Sequence, residues 1–352
     1  MLHLPALSSL PSATIVGACD LDEGRRERAR ARWGVPMFSD FATMLEQAKP
    51  QVVVVATPPE HHADNCIRAL EAGAHVICEK PLATTIADGK RILDAATRAG
   101  LRVAMNYEFR EMGIAGALRE RIGTPGVGPL HFAHVWQAMD LPHWKEPGWR
   151  GQLSHGVLFE AGIHLVDYAL ALFGERPVSV SATMSTCGVR PERTDSVALV
   201  TLEFAGGRIA QVMQNRLSSG DTRYFEVSAD CQSATLRASF GGRARVSMGM
   251  LRSSRPHVSF EFGPSGIAWE ERGARRHTFA KNPKEAGMHA TTRLLTKTLD
   301  AFSNGTGVPA SGEDGLLGLE VLAACYHAAE HGTRVHLDAE ALRGLQDVQI
   351  GR

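Results

Sequence analysis

Residues 51–82 read QVVVVATPPEHHADNCIRALEAGAHVICEKPL, and this stretch decides the fold. Val52 to Val55 form a β-branched run that predicts a strand buried on both faces. A helix is predicted over 60–72, and His75 to Cys78 predict the next strand. Two strands joined through a helix predict a right-handed βαβ unit with parallel strands.

The same alternation of strands and helices continues on both sides of this stretch. It predicts a doubly wound parallel sheet of the Rossmann-like α/β class, in which ligands bind beyond the carboxyl ends of the strands. The further strands are predicted over 13–19 and 101–105, and the further helices over 23–33, 40–48 and 84–99.

After residue 128 the predicted strands follow one another without helices between them. Ser196 to Phe204 and Ile209 to Gln214 predict a hairpin around a glycine turn. This half therefore predicts an α+β domain with an open, mainly antiparallel sheet. Helices are predicted over 156–173, 287–303 and 313–331, the last with a capping box of Ser311 and Asp314.

The length and the change of pattern predict two domains and a tail. We expect a dinucleotide-binding domain over 1–110, a substrate and oligomerisation domain over 111–336, and a C-terminal tail over 337–352. An open sheet face often pairs with a copy of itself, so we expect a homodimer or homotetramer.

Composition narrows the class of protein. The 352 residues hold 38 basic and 38 acidic side chains, which argues against a nucleic-acid or membrane-surface partner. The 6 cysteines form no CxxC pair, and no metal site is expected. The first Lys or Arg is Arg25, too late for a signal peptide, so the sequence predicts a cytoplasmic protein.

Several polar residues follow predicted strands. Asp20 ends the first strand, where an acidic residue of a dinucleotide fold binds ribose hydroxyls and favours NAD over NADP. The alternative is a helix N-cap. Thr57 and Pro58 follow the four-valine strand, and His62 lies shortly beyond. A rigid proline turn can carry a nicotinamide ring, although an ordinary turn has the same pattern.

Glu79, Lys80 and Pro81 come directly after the strand His75 to Cys78. A partly buried lysine at a strand end can act as an acid, a base or a hydrogen-bond donor. The alternative is a solvated surface lysine.

A second candidate cluster lies on the helix predicted over 156–173. Glu160 and His164 are four residues apart, which places them on one helix face together with Asp167. A carboxylate that fixes a histidine tautomer is a common acid–base device. The alternative is a local helix pair around a structural histidine. Two ligands without a second cluster do not make a metal site.

Read in order, these fragments resemble the Gfo/Idh/MocA family of oxidoreductases. The resemblance is carried by Ala56-Thr-Pro-Pro59, His62 and the segment from Glu71 to Leu82. Downstream it is carried by Trp149-Arg150 and by Glu160-Ala-Gly-Ile-His-Leu-Val-Asp167, and it extends over nearly the whole chain.

The resemblance implies hydride transfer between NAD, or NADP, and a secondary alcohol or carbonyl of a sugar, polyol or related small molecule. It implies that Lys80, next to a cis bond to Pro81, contacts nicotinamide and substrate, that His164 accepts the substrate proton, and that Glu160 is its partner. The implied cofactor-binding residues are Asp20, Thr57, Pro58, His62, Glu79, Lys80 and Asn106, and the implied substrate-binding residues are Arg110, Trp149, Arg150 and Asp167.

The chain departs from the family pattern in two places. The family usually has Asp where this chain has Glu160. His3 to Leu7 resembles the helix after the family's glycine-rich turn, but the first strand and the GxGxxG turn are absent before it. We expect the natural protein to begin upstream of Met1, and the sheet described by this sequence to lack its first strand.

Two other functions share the fold. One is a non-catalytic ligand-sensing or binding protein, for which the absent phosphate-binding turn is suited. The other is a glycoside hydrolase that uses tightly bound NAD for a transient oxidation. Retention of Lys80 and His164 argues against the sensor, and net reduction of added NAD distinguishes the dehydrogenase from the hydrolase.

Overall fold

The structure is a computed structural model that describes residues 3–140, 156–188, 195–241, 244–250, 256–262, 265–282 and 287–351. The chain divides into two compact units, and each is built from more than one stretch of sequence. Unit 1 comprises Met1–Glu111, Ala286–Glu320 and Gly344–Gln349; unit 2 comprises Met112–Glu285, Val321–Arg343 and Ile350–Arg352. No helix within the described residues is long and apolar enough to cross a membrane.

Strands and helices alternate through the first part of unit 1, as the sequence predicts. In chain order they are α1 (His3–Ser8), β1 (Ala18–Cys19), α2 (Glu23–Trp33), β2 (Met37–Phe38), α3 (Phe41–Ala48), β3 (Val52–Val55), α4 (His62–Glu71), β4 (His75–Cys78), α5 (Ile86–Ala99) and β5 (Val103–Met105).

The parallel strands of unit 1 fall into two sheets. β1 pairs with β2, whereas β3, β4 and β5 form a separate three-stranded sheet in that order. β1 and β3 share no ladder within the described residues. The apolar run predicted as a strand over 13–19 is a strand only at Ala18–Cys19, because β1 has β2 alone as its neighbour.

Local capping explains where the helices of unit 1 begin and end. Asp22 caps α2 by accepting a hydrogen bond from the Arg25 amide at 2.7 Å, and Thr85 caps α5 by accepting one from the Asp88 amide at 3.0 Å. Both helices end at a glycine in the left-handed conformation, Gly34 and Gly100, each with φ 65°.

The elements after residue 111 begin with α6 (Gly113–Arg121) and β6 (Leu130–Ala138). They continue with α7 (Ile163–Phe173), β7 (Ser179–Ser185), β8 (Val197–Glu203), β9 (Ile209–Asn215), β10 (Arg223–Cys231), β11 (Thr235–Gly241), β12 (Ala244–Met250), β13 (Pro256–Phe262), β14 (Ser265–Arg272), β15 (Arg275–Asn282), α8 (Gly287–Asn304), α9 (Gly312–His331), β16 (Val335–His336) and α10 (Ala339–Gly344).

Unit 2 is dominated by a nine-stranded sheet in the order β15-β14-β11-β10-β6-β9-β8-β7-β16. All its strand pairs are antiparallel except β6 with β9. The predicted hairpin is confirmed as β8 and β9 around the turn Ala205–Gly207. The predicted fold class, a Rossmann-like parallel sheet followed by a mainly antiparallel sheet, is therefore confirmed.

The core of unit 1 recruits helices from both ends of the chain. Ala6 and Leu10 pack in one apolar cluster with Ile77 of β4 and with Leu295 and Phe302 of α8. The start of α9 returns to the same unit, where the amide of Met105 donates to the carbonyl of Ala310 at 2.9 Å. This hydrogen bond holds the end of β5 against the segment that precedes α9.

Candidate active site

The polar residues predicted for unit 1 lie at the carboxyl ends of its parallel strands. Thr57, Glu79 with Lys80, and Asn106 follow β3, β4 and β5 of one sheet, and Asp20 follows β1 of the other. Carboxyl ends of neighbouring parallel strands meet at one edge, which is the usual place for ligands in such sheets.

The carboxylate of Glu79 organises this edge. Its Oε1 lies 2.7 Å from His3 Nε2 and accepts a hydrogen bond from Asn106 Nδ2 at 2.9 Å. Its Oε2 accepts one from the backbone amide of Lys80 at 3.2 Å. Glu79 thus ties the turn that carries Lys80 to α1 and to the end of β5. The sequence identified His3 as the start of a helix but not as a residue of this site.

His62 fixes the same turn from its other side. Its Nδ1 lies 2.7 Å from the carbonyl oxygen of Pro81, and its Nε2 lies 2.8 Å from that of Thr57. The imidazole thus joins the turn after β3 to the turn after β4, where the Lys80–Pro81 bond is cis, as the resemblance implied.

The side chain of His62 is fully enclosed by the protein. It is 0% exposed, and both ring nitrogens contact backbone carbonyl oxygens, those of Thr57 and Pro81. Burial lowers the pKa of His62, and the two carbonyl oxygens act in the opposite direction. The resemblance implied that His62 contacts the cofactor, but the side chain has no exposed surface for such a contact.

Asp20 is not the N-cap of α2, because Asp22 has that role. Asp20 instead accepts a hydrogen bond from the Asp22 amide at 2.9 Å, and its other oxygen lies 3.7 Å from Arg25 Nη1. The carboxylate is 32% exposed, so it remains accessible at the end of β1. The N-cap alternative for Asp20 was wrong, and its predicted contact with ribose stays a prediction.

The residues at this edge fit a nicotinamide dinucleotide in part. Asn106 is buried, and its Oδ1 has no hydrogen-bond partner among the residues that the structure describes. A buried acceptor of this kind is costly until a donor, such as an amide or a hydroxyl, is supplied. The Asn106 Oδ1 acceptor, the Asp20 carboxylate and the Lys80 ammonium are groups that can hydrogen-bond the ribose hydroxyls and the carboxamide of such a cofactor. The sequence has no GxGxxG before α1, and we assign no residue to the pyrophosphate.

In unit 2 the predicted cluster lies on a helix that begins irregularly. Leu158–Gly162 form one π-helical turn, and regular α-helix starts only at Ile163. Hydrogen bonds in a π turn span five residues, so the predicted common face of Glu160 and His164 does not follow from α-helical spacing. His164 and Asp167 both lie within α7 and are 7% and 1% exposed.

The carboxylate of Glu160 forms a short ion pair with Arg216, which follows β9. Arg216 is 3% exposed, and its backbone amide donates to the carbonyl of Ser196 at 3.0 Å. Sequence reasoning missed Arg216, because nothing local distinguishes it from any arginine at a strand end. The predicted pairing of Glu160 with His164 stays a prediction.

Arg110, one of the predicted substrate-binding residues, is held by hydrogen bonds near the start of α9. Arg110 is 6% exposed, and its Nη1 donates to Asp314 Oδ2 and to the Pro309 carbonyl, each at 3.0 Å. It therefore ties the turn after β5 to the start of α9 within unit 1. Trp149 and Arg150 lie outside the described residues.

Comparison with known proteins defines the class. Residues 1–107 match the profile described as an oxidoreductase family with an NAD-binding Rossmann fold, and residues 116–258 match the GFO/IDH/MocA C-terminal domain. This chain belongs to the GFO/IDH/MocA family of NAD(P)-dependent dehydrogenases and reductases, as the sequence motifs predicted.

Two curated relatives align along most of the chain. D-apiose dehydrogenase of Paraburkholderia graminis is 27% identical over 351 residues, covering 96% of this chain and 88% of that protein. D-glucoside 3-dehydrogenase of Escherichia coli is 26% identical over 347 residues, covering 92% and 90%.

Solved structures share the fold. An oxidoreductase from Agrobacterium radiobacter, crystallised with NAD+, L-tartaric acid and magnesium, has a TM-score of 0.79 at 18% identity. The comparison covers 96% of this chain and 94% of that one. A probable dehydrogenase from Thermotoga maritima has a TM-score of 0.78 at 20% identity, covering 96% and 95%. At these identities the likeness concerns the fold alone.

Proposed function

We propose that this protein transfers a hydride between a nicotinamide cofactor and a secondary alcohol or carbonyl of a sugar, polyol or related small molecule. The observation that carries the proposal is the network around Lys80. Glu79 and His62 fix the turn bearing this lysine by hydrogen bonds to its two sides. The dehydrogenases named above act on D-apiose and on a D-glucoside, which supports a sugar-like substrate.

We propose NAD as the preferred cofactor, with NADP as an alternative. When bound, it supplies the nicotinamide carbon that accepts or donates the hydride. Asp20 would hold the adenosine ribose, Thr57 and Pro58 would line the cofactor site, and Asn106 would face the nicotinamide end together with Lys80. A carboxylate at the position of Asp20 repels a 2′-phosphate, which is the basis of the preference for NAD.

The protein's own chemistry is proton transfer and orientation. We propose that His164 takes the proton from the substrate hydroxyl during oxidation and returns it during reduction. Lys80 orients the reacting oxygen through its ammonium group. The ion pair with Arg216 fixes the carboxylate of Glu160, whose role is to orient His164. Asp167, Arg110, Trp149 and Arg150 remain proposed substrate-binding residues.

A homodimer or homotetramer in the cytoplasm is part of the proposal. Leu199 of β8 and Ile209 of β9 are 43% and 36% exposed on the nine-stranded sheet. Apolar side chains exposed on a sheet face support pairing with a second copy of the chain.

Turnover of a sugar panel by the Lys80→Ala variant tests the proposed function. The purified protein should form NADH from NAD with at least one aldose, glycoside or polyol. Lys80→Ala should lower kcat by about 10² or more while leaving the circular dichroism spectrum unchanged.

Lys90→Ala is the control for that variant, because Lys90 is a half-buried lysine on α5 away from the strand ends. Its kcat should equal that of the wild type. Equal turnover by Lys80→Ala and the wild type would contradict the assignment of Lys80.

A further inference from the structure

The start of the helix that carries Glu160 and His164 is held by side chains from distant parts of unit 2. Asp195, just before β8, accepts hydrogen bonds from the amide of Gly156 and, at 3.0 Å, from the amide of Leu158. Its side chain is buried, at 3% exposed. The carboxylate therefore serves as a helix cap supplied from another element.

Tyr326 of α9 completes this cap. Its hydroxyl accepts a hydrogen bond from the amide of Phe159 at 3.0 Å and donates one to Asp195 Oδ1 at 3.3 Å. Burial, and next the charge of Asp195, raise the pKa of Tyr326, so the hydroxyl keeps its proton at physiological pH.

The turn needs these partners because its backbone is buried. The first amides of any helix have no partner within the helix, and a buried amide without a partner is costly. Val157, which precedes the π-helical turn, makes no side-chain cap. Asp195 and Tyr326 supply the missing acceptors for three amides between Gly156 and Phe159.

The same segment also sets the partner of Glu160. The carbonyl next to Asp195, that of Ser196, accepts from the amide of Arg216, whose guanidinium pairs with Glu160. On another side of the turn, the ring of Phe159 packs against Gly351, where an added Cβ would lie 2.5 Å from Phe159 Cζ. The turn is therefore constrained on several sides.

We propose that Asp195 and Tyr326 are positioning residues that hold the π-helical turn, and so set the geometry of Glu160 and His164 for proton transfer. The proposal rests on the proposed function. It assigns neither residue a contact with substrate or cofactor. Asp195 and Tyr326 would affect the rate of the chemical step and the protonation of His164. Cofactor binding would depend on residues of unit 1.

Tyr326→Phe is the test variant, because it removes one oxygen atom and leaves the ring. We expect kcat to fall by about tenfold to 10²-fold, as for a small misplacement of a reacting group, with an unchanged KM for NAD. The pH midpoint of kcat should shift, because His164 changes its surroundings. Asp195→Asn, which keeps the shape of the side chain, should give the same pattern.

Tyr168→Phe is the matched control. Tyr168 lies on α7, is fully buried, and donates its hydroxyl proton to the carbonyl of Ala115 at 2.8 Å, away from the turn. This variant also loses a buried hydrogen bond and should lower the thermal midpoint, but it should keep the wild-type kcat and pH profile.

Hydrogen exchange of the Leu158 and Phe159 amides gives a readout that does not depend on turnover. Exchange should accelerate in Tyr326→Phe and Asp195→Asn but not in Tyr168→Phe. Wild-type kcat and pH profile in Tyr326→Phe would overturn the proposal, as would equal losses of kcat in Tyr326→Phe and Tyr168→Phe. If the wild type turns over no sugar or polyol while exchange behaves as expected, the proposed function fails instead.

Discussion

Glu79 shows how one side chain prepares a site before any ligand arrives. One carboxylate oxygen accepts a hydrogen bond from the Asn106 side chain and contacts Nε2 of His3, and the other accepts a hydrogen bond from the Lys80 amide. Each contact fixes a side chain before a ligand binds, so less conformational entropy is lost on binding. Catalysis depends on groups that are preorganised in this way. Glu79 therefore holds the turn that carries Lys80 against two elements, α1 and the end of β5.

Replacement of His164 should remove the proton acceptor. We expect His164→Ala to lower kcat by about 10² or more, as for the loss of a general base. His131→Ala, which removes an exposed histidine of β6, is the control and should leave kcat unchanged. A rise in the substrate KM alone, with kcat intact, would move His164 from proton transfer to binding.

Replacement of Asp20 should change cofactor preference. Asp20→Ser should weaken NAD binding by about tenfold, because a charged acceptor of the ribose hydroxyls is lost, and should improve binding of NADP. Titration calorimetry with both cofactors measures the effect.

Asp22→Ser is the control for Asp20, because it removes a neighbouring charge and keeps an N-cap residue on α2. Its affinity for NAD should match that of the wild type. Unchanged NAD affinity in Asp20→Ser would argue that Asp20 serves only the local turn with Asp22.

The sequence predicted the site residues that belong to short motifs and missed those defined by long-range contacts. Lys80 and His164 could be named because short patterns surround them. Arg216 is 56 residues from Glu160, and Tyr326 is 167 residues from Phe159. No local pattern encodes such pairs, since only the folded sheet and α9 bring them together.

Among the elements, α9 shows both what a pattern predicts and what it omits. Its capping box is confirmed: the Asp314 amide donates to Ser311 Oγ at 3.2 Å, and the Ser311 amide donates to Asp314 Oδ2 at 2.8 Å. The pattern did not show why glycines occupy its first turn. A Cβ on Gly312 would lie 2.6 Å from Leu93 Cδ2 and 3.0 Å from Val103 Cβ.

Replacement of Gly312 should therefore destabilise the protein. We expect Gly312→Ala to cost about 1–3 kcal/mol through overpacking, although alanine favours a helix by about 1 kcal/mol over glycine. Gly24→Ala on α2 is the control, because its Cβ would approach only side-chain ends, at 3.3 Å. Denaturant unfolding should show a loss for the first variant and none for the second. Equal midpoints would mean that β5 and α5 adjust without strain.

The helix leading to His164 shows the limit of periodicity. The sequence predicted a helix over 156–173, and the structure confirms its extent, but its first turn is π-helical at Leu158–Gly162. Apolar periodicity fixes which residues are buried and not how many residues one turn holds. The cap from Asp195 and Tyr326 lies far away in sequence, so the turn type was not predictable.

For the whole molecule, the fold class could be predicted from the sequence because strand and helix patterns are local. The order of the nine strands and the placement of α8 in unit 1 could not be predicted, because they depend on contacts between elements that are distant in sequence. Ala6 of α1 and Leu295 of α8 meet in one core although they come from opposite ends of the chain.

One buried and two half-buried histidines should make the stability of the whole molecule depend on pH. Burial lowers the pKa of His62, His75 and His134, and the charge of Arg102 adds to the effect at His75. The Arg102 amide also donates to His75 Nδ1 at 3.1 Å, a bond that a protonated ring cannot accept. At these three histidines the folded state therefore binds fewer protons than the unfolded state.

The sign of the effect follows from linkage. Stability from these groups is complete above the unfolded histidine pKa of about 6.5 and is lost as the pH falls below it. We expect the thermal midpoint to decrease from about pH 7.5 to about pH 5.5, and His75→Gln to reduce that decrease. A midpoint that rises toward acid pH would contradict the burial of these rings in neutral form.

Transfer of deuterium from substrate to cofactor is the direct test of hydride transfer by this protein. The protein is incubated with NAD and with sugars and polyols deuterated at their secondary alcohol carbons, and the recovered cofactor is analysed by mass spectrometry. We expect one deuterium in NADH with the wild type and none with Lys80→Ala. Unlabelled, fully oxidised cofactor across the whole panel with the wild type would contradict hydride transfer as the function of this protein.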